Sequence, residues 1–178
     1  PYYQQKDIEN IKKLREMMKE LPPFCTEFFR GIEPRTSTRT RIAYAYDLSV
    51  FFDFLKKENP VFSKMERMDF QLEQLDEISV TDLEEYMEYL KYRFNEQNHE
   101  IMNQERGIMR KISSLKSFYN YFFRTEKLAT NPAALVRLPK LHDKEIIRLD
   151  VDEVALLLDA VKEAEGWTTD DQDYQQIL

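Results

Sequence analysis

The chain has 178 residues, of which 42% are hydrophobic and 33% are charged, and its net charge is −7. This length fits one domain, or one domain and part of a second, and the balanced composition excludes a disordered chain. No apolar run approaches the ~18 residues of a membrane span, and a single cysteine, Cys25, excludes an internal disulfide. We therefore expect a globular cytoplasmic protein with a buried thiol.

The acidic excess is distributed unevenly along the chain. Residues 35–68 and 101–148 have net charges of +3 and +6, whereas residues 69–100 and 149–178 have −8 each. The overall charge argues against nucleic-acid binding, but folding can bring the two basic blocks to one surface. Net charge alone therefore leaves both nucleic-acid binding and binding of a basic protein partner open.

The first part of the chain predicts three helices. Apolar residues at helical spacing predict a helix over 5–20, and Pro22-Pro23 end it and open a second, short helix. The polar stretch 34–38, rich in N-cap residues, precedes a long helix over about 38–58. The apolar stripe of this long helix is expected to contain Tyr44, Leu48, Phe51, Phe52 and Leu55.

The helical pattern continues beyond residue 58. A capping box at Ser79–Asp82 opens one helix, and the next has an apolar stripe that runs from Ile108 to Phe122. The predicted elements are a connection over 59–77, helices over 80–94 and 104–126, a helical turn at 132–137, a strand or extended linker at 144–149 and a last helix over 151–164. We therefore expect an all-α fold, an orthogonal bundle of four to five helices.

The run Arg35-Thr-Ser-Thr-Arg-Thr-Arg41 is the first candidate DNA-binding motif. Hydroxyls, cations and the free amides of a helix start lie together there, and such a start attracts phosphates. Arg and Thr side chains can also reach base edges. The run equally fits an ordinary helix cap with solvated arginines, so the sequence leaves both interpretations open. The residues assigned to DNA contact are Arg35, Thr38, Arg39, Thr40 and Arg41.

The polar side of the helix over 104–126 is the second candidate. Residues 106–127 have a net charge of +5, and helices that enter a major groove place small polar residues between long cations. A solvated helix face is the alternative interpretation. Lys111 lies near the apolar arc, where its long stem allows the ammonium to reach outward. The residues assigned to DNA contact are Arg106, Arg110, Lys111, Ser113, Ser114, Ser117 and Arg124.

Two arginines of these motifs lie off the apolar stripes. They are Arg39 and Arg110, and each is expected to point away from the core. We therefore expect replacement of either by alanine to weaken DNA binding while changing the free energy of unfolding by no more than about 0.5 kcal/mol.

Neither histidine fits a catalytic or metal site. His99 and His142 each lie alone in a polar connection, without a nucleophile or metal ligand at a recognisable spacing. Gly31, Gly107 and Gly166 form no phosphate loop. The sequence therefore predicts no catalytic residue, no metal site and no cofactor.

Two runs in the predicted long helices resemble the tyrosine recombinase (phage integrase) family. The run from Thr40 to Leu55 is similar to the family's T-x-x-x-Y-x-x-D-L-x-x-F-x-x-F/W-L helix. The run from Arg110 to Phe122 is similar to its R-x-L-S-x-L-R-x-F-F-x-Y-L helix. These runs contain most of the residues assigned above to DNA contact.

Softer marks follow the same order as in the family. Asp82–Tyr86 resembles the acidic third helix, and Asn131-Pro132 and Leu138-Pro139-Lys140 resemble the marks that close the N-terminal domain. Asp152–Leu158 is similar to the first helix of the catalytic domain. The leading helices and the insertion at Trp167–Gln176 are most similar to the Xer-type enzymes that work without a second recombinase, such as XerS.

The resemblance implies a core-binding, SAM-like domain that forms one jaw of a clamp around the duplex of a recombination half-site. The helices over 38–58 and 104–126 would face the DNA. It divides the chain into an N-terminal helical extension over 1–34, the core-binding domain over 35–140, and a linker with the truncated start of a catalytic domain over 141–178.

The resemblance also implies a parent enzyme that breaks and rejoins DNA through a 3′-phosphotyrosyl intermediate, as a homotetramer on DNA. The family's catalytic residues begin at a T-G-x-R-x-S-E motif that this sequence lacks. We therefore expect this chain to be a monomeric fragment that cannot cleave DNA. The alternative is an acidic helical protein–protein interaction module, in which the helix over 80–94 docks a basic partner.

Overall fold

The described part of the chain is mostly helical, with only two short strands, which confirms the all-α prediction. The computed structural model describes residues 1–138 and 140, and residues 1–138 form one compact unit. The α-helices are α1 (Tyr2–Lys19), α2 (Cys25–Ile32), α3 (Thr38–Glu58), α4 (Val80–Lys91) and α5 (Glu105–Arg124). Short 3-10 helices lie at Glu33–Arg35, Arg67–Asp69, Leu72–Glu77 and Pro132–Leu135. Among the described residues, no helix combines the length and the apolarity that a membrane span needs.

Some of the predicted elements fall beyond the part of the chain that the structure describes. They are the extended segment at 144–149 and the helix over 151–164, so both stay predictions. The division after residue 140 stays a prediction for the same reason.

Helix α3 is buried on most of its circumference because α1, α4 and α5 all pack against it. The predicted stripe is confirmed for Leu48, Phe51, Phe52 and Leu55, which are at most 1% exposed. Val50, which the periodicity places on another side, is buried as well. The helix is therefore the centre of the bundle, and what lies at its start is held by several neighbours.

An aromatic core joins α2, α3 and α5. The ring of Phe118 lies 5.2 Å from that of Phe28 and 6.4 Å from that of Phe52, both in the edge-to-face arrangement that aromatic pairs prefer. Cys25 is 1% exposed, as predicted, and burial raises the pKa of its thiol. Residues 1–34 therefore contribute side chains to the same core as α3 and α5.

A two-stranded antiparallel hairpin, not predicted from the sequence, lies between α4 and α5. Its strands are β1 (Arg93–Phe94) and β2 (Glu100–Ile101). The helix predicted to reach residue 94 ends at Lys91, and the extended backbone that follows buries Arg93. The Arg93 guanidinium donates a hydrogen bond to the hydroxyl of Tyr46 in α3 at 3.2 Å. Helical periodicity does not predict this contact, because its two residues lie far apart in the sequence.

Candidate nucleic-acid interface

A cleft of about 360 Å³ opens where the turn over 33–36, the first half of α3 and the last turns of α5 meet. Within the described part of the chain no carboxylate lines it, although the protein is acidic overall. The cleft brings together residues from both candidate motifs, which lie about 80 residues apart in the sequence. Its lining residues are Ile32, Arg35, Thr36, Tyr44, Ser117, Asn120, Tyr121 and Arg124.

The first turn of α3 follows this cleft wall directly. Ser37 is the N-cap, and its hydroxyl accepts a hydrogen bond from the amide of Thr40 at 3.1 Å. The hydroxyls of Ser37 and Thr40 also lie 3.0 Å apart. The side chains of Arg39 and Thr40 are exposed. Both predicted contacts are therefore accessible to a ligand at the start of α3.

Arg41 and Thr38, both assigned to DNA contact from the sequence, are instead 8% exposed. The Arg41 guanidinium donates hydrogen bonds to the carbonyls of Thr36 at 2.7 Å and Glu33 at 3.1 Å. The Thr38 hydroxyl donates to the carboxylate of Asp7 in α1 at 2.8 Å. The structure corrects both assignments: Arg41 holds the turn that carries Arg35, and Thr38 attaches α1 to α3.

Two predicted contacts on α5 are buried against α3. Lys111 is 1% exposed, and its ammonium lies 5.5 Å from the centre of the Tyr46 ring, so the expected outward reach of this side chain is wrong. Ser114 is 5% exposed, and its hydroxyl donates a hydrogen bond to Asp47 at 2.6 Å. Because both face α3 rather than solvent, we reassign them from DNA contact to helix packing.

Arg110 connects the polar side of α5 to the core. Its Nη2 lies 3.1 Å from Oδ1 of Asp47, whose side chain is 2% exposed, while the Arg110 side chain keeps 21% exposure. Removal of Arg110 would take a charged partner from a buried carboxylate, so the structure favours a destabilising rather than a nearly neutral Arg110→Ala. Asp47 and Arg110 belong to the two runs that carry the family resemblance, and this ion pair joins them.

The other predicted contacts face outward. Arg35, Arg39, Arg106, Ser113 and Arg124 are exposed and Ser117 is half-buried. None of these four arginines forms a salt bridge with another residue of the described part of the chain. Four guanidinium groups are therefore available to a ligand, and two of them, those of Arg35 and Arg124, line the cleft.

Sequence reasoning missed five residues that line the cleft. They are Ile32, Thr36, Tyr44, Asn120 and Tyr121. A signal for Asn120 was present, because it falls at helical spacing between Ser117 and Arg124, both of which were identified. The tyrosines gave no such signal, since aromatic residues at helical spacing usually belong to a core.

The wall of the cleft depends on a close approach between α2 and α5. A Cβ at Gly31 would lie 2.3 Å from Cε2 of Tyr121, so only glycine allows the Tyr121 ring its present position. The ring also packs edge-to-face on Phe28, at 5.9 Å between centres. Gly31 thus keeps the Tyr121 ring at the edge of the cleft.

His99 does not line the cleft. His99 is exposed and His142 lies outside the described residues. Across residues 1–138 and 140, no group of three His, Cys, Asp or Glu side chains could hold a metal ion.

Several curated proteins named tyrosine recombinase XerC are similar to the chain. The protein from Caldanaerobacter subterraneus is 35% identical over 147 residues, which cover 79% of this chain. Those from Anoxybacillus flavithermus and Chlorobaculum tepidum are 32% identical over 113 residues and 30% identical over 157 residues, or 64% and 88% of this chain. The chain belongs to the tyrosine recombinase family.

The recombinase chain spans less than half the length of these relatives, 40%, 31% and 40% in the same order. All three relatives have the name XerC, and the similarity to XerS-type enzymes stays a prediction. Neither a family model nor a solved structure matches the recombinase chain.

Proposed function

We propose that this chain is the DNA-binding part of a site-specific tyrosine recombinase and that one surface, the DNA face, binds duplex DNA. The observation that carries the proposal is the cleft, which joins two distant basic motifs without a carboxylate in the described part of an acidic chain. Phosphates are the natural ligands of such a surface, because clustered arginines attract them and release counterions. The DNA face consists of Arg35, Arg39, Thr40, Arg106, Ser113, Ser117 and Arg124.

Buried residues next to the DNA face hold its backbone in position. Arg41 holds the turn over 33–36, and the Asp47–Arg110 pair fixes α5 against α3. Ser113 and Ser117 are short, so the backbone of α5 can approach a groove while the longer arginines reach phosphates or guanine edges. Because these supporting residues are already ordered, the DNA face does not have to become ordered when it binds DNA.

The remaining expectations from the resemblance belong to the same proposal. The whole recombinase encloses its half-site between two jaws, of which this chain supplies one, and assembles as a tetramer on DNA. Alone, the chain is monomeric in solution and does not cleave DNA. Light scattering of the isolated chain tests whether it is monomeric, and a stable tetramer without DNA would contradict this statement.

Fluorescence anisotropy with a labelled duplex of about three helical turns, titrated between 50 and 200 mM salt, tests the DNA face. We expect the double variant Arg35→Ala/Arg124→Ala to bind more weakly, because two phosphate contacts are removed. Since each such contact contributes about 0.9 to the slope of log K against log salt, the slope should fall by about 1.8.

The matched control removes the same two charges elsewhere. Arg15 and Lys64 are exposed and do not line the cleft, so Arg15→Ala/Lys64→Ala should leave the slope unchanged. Equal losses in both double variants, or no loss in either, would overturn the proposal. Binding of a basic peptide to the exposed acids of α4, with no binding of duplex, would favour the protein–protein module instead.

A further inference from the structure

Helices α1 and α3 lie side by side and run in the same direction. Near the start of α3, Thr38 donates its hydrogen bond to Asp7 of α1 at 2.8 Å. Toward the other end, Arg67 lies 3.7 Å from Glu20, just beyond α1, and 2.6 Å from Asp53 of α3. Asp7 is thus level with the first turn of α3, and the residues before Asp7 extend past it.

The face of α1 that packs on α3 continues into this overhang. Tyr3, Asp7, Asn10 and Leu14 follow one another at helical spacing and share that face. Leu14 is 6% exposed and Asn10 half-buried, whereas Tyr3 is 84% exposed. At a rise of 1.5 Å per residue, Tyr3 lies about 6 Å beyond Asp7. This face therefore presents an exposed aromatic side chain beyond the first turn of α3.

The overhang has the chemistry of a phosphodiester contact. Residues 1–6 contain Lys6 and no acidic residue, and the Lys6 ammonium lies 5.9 Å from the centre of the Tyr2 ring. The nearest acid in sequence, Asp7, is engaged by Thr38 at the positive end of α3. The Thr38 that binds Asp7 directly precedes Arg39 and Thr40, which belong to the DNA face, on the first turn of α3.

We propose that the overhanging end of α1, through Tyr3 and Lys6, binds the sugar–phosphate backbone of duplex DNA next to the segment that the DNA face contacts. This inference rests on the proposed function and adds a contact outside the helices that the family resemblance assigned to DNA. Lys6 supplies the charge for one phosphate, and the Tyr3 ring packs against the adjoining sugar while its hydroxyl remains free to donate to a phosphate oxygen.

The test compares two double variants of the full chain. Tyr3→Ala/Lys6→Ala removes the proposed contact. The matched control Tyr92→Ala/Lys13→Ala removes an exposed tyrosine between α4 and β1 and an exposed lysine in the middle of α1. We expect the first to weaken duplex binding several-fold and to lower the salt slope by about 0.9, the share of one phosphate. In a phosphate-ethylation interference experiment, Tyr3→Ala/Lys6→Ala should lose one phosphate at which ethylation blocks binding. This phosphate should differ from those lost in Arg35→Ala/Arg124→Ala. Both variants should keep the melting temperature of the unmodified chain.

The outcomes separate this inference from the proposed function. Failure of the unmodified chain to bind duplex would overturn both. Duplex binding by the unmodified chain with an unchanged slope and footprint in Tyr3→Ala/Lys6→Ala would overturn the inference alone, and so would an equal loss in the control. If the unmodified chain self-associates and Tyr3→Ala/Lys6→Ala loses this self-association but keeps its DNA affinity, the overhang binds a second copy of the chain. That outcome would also overturn the inference.

Discussion

The two ends of α3 use arginines in opposite ways. At its start, Arg35 and Arg124 line a cleft without a carboxylate in the described part of the chain. Toward its C-terminal end, Arg67 binds Asp53 at 2.6 Å, Glu20 at 3.7 Å and Glu96. Burial by itself lowers the pKa of the Arg67 guanidinium, but the hydrogen bond and charge of Asp53, with the charges of Glu96 and Glu20, raise it on balance.

This difference separates arginines that hold the fold from arginines that serve a ligand. The acids around Arg67 come from α3, from the end of α1 and from the hairpin, so the cluster fastens three parts of the chain together. The cleft has cations from two elements and no counter-charge among the described residues, which favours a bound anion. Arg110 is intermediate, because it is tied to buried Asp47 while part of its side chain reaches the surface.

The largest expected effect on stability comes from removing the ion pair between Asp47 and Arg110. Asp47→Ala removes the buried carboxylate that pairs with Arg110 and accepts the hydrogen bond of the Ser114 hydroxyl. Because a buried ion pair and a buried hydrogen bond are lost together, we expect a loss of about 3 kcal/mol in the free energy of unfolding. Urea denaturation followed by circular dichroism measures it. A loss below about 1 kcal/mol would show that the pair contributes no more than a surface salt bridge.

The Arg67 end should affect stability without affecting DNA. Arg67→Ala removes a charged hydrogen-bond partner from half-buried Asp53, and we expect a loss of about 1.5 kcal/mol with duplex affinity unchanged. Glu96→Gln is the control, since Glu96 is 67% exposed and should cost less than about 0.5 kcal/mol. A marked fall in duplex affinity for Arg67→Ala would remove the distinction between the two ends.

The cleft end can be perturbed without changing a charge. Gly31→Ala pushes the Tyr121 ring away, and because this ring is the free end of a half-buried side chain, we expect a loss of only about 1 kcal/mol in stability. The displaced ring changes the cleft, so duplex affinity should fall about fivefold, equivalent to about 1 kcal/mol of binding free energy. Gly107→Ala, in the first turns of α5, is the comparison; an affinity loss in it alone would contradict the role given to the cleft.

The smallest effect on stability belongs to an exposed arginine at the start of α3. Arg39→Ala should leave the free energy of unfolding within about 0.5 kcal/mol of the parent, because its side chain has no salt bridge in the described part of the chain. Duplex affinity should fall nonetheless. Thermal melting and anisotropy on the same preparation check both statements, and an unchanged affinity at low salt would remove Arg39 from the DNA face.

Local signals in the sequence determined the main helices of this protein. The predicted range of α3, 38–58, is the one observed, because a Ser37 cap and a continuous apolar stripe lie within the segment itself. In α5 the predicted stripe from Ile108 to Phe122 is buried as expected. Both results rest on interactions between residues a few positions apart, which periodicity and capping patterns record.

Only the tertiary structure decided which cations face outward. Arg35, Arg41 and Arg67 lie in the same basic block, yet one lines the cleft, one bonds backbone carbonyls and one binds three carboxylates. Lys111 likewise lies on α5 among predicted contacts but is buried against Tyr46. The fate of a long charged side chain depends on acceptors that other elements bring to it, and those elements lie far away in the sequence.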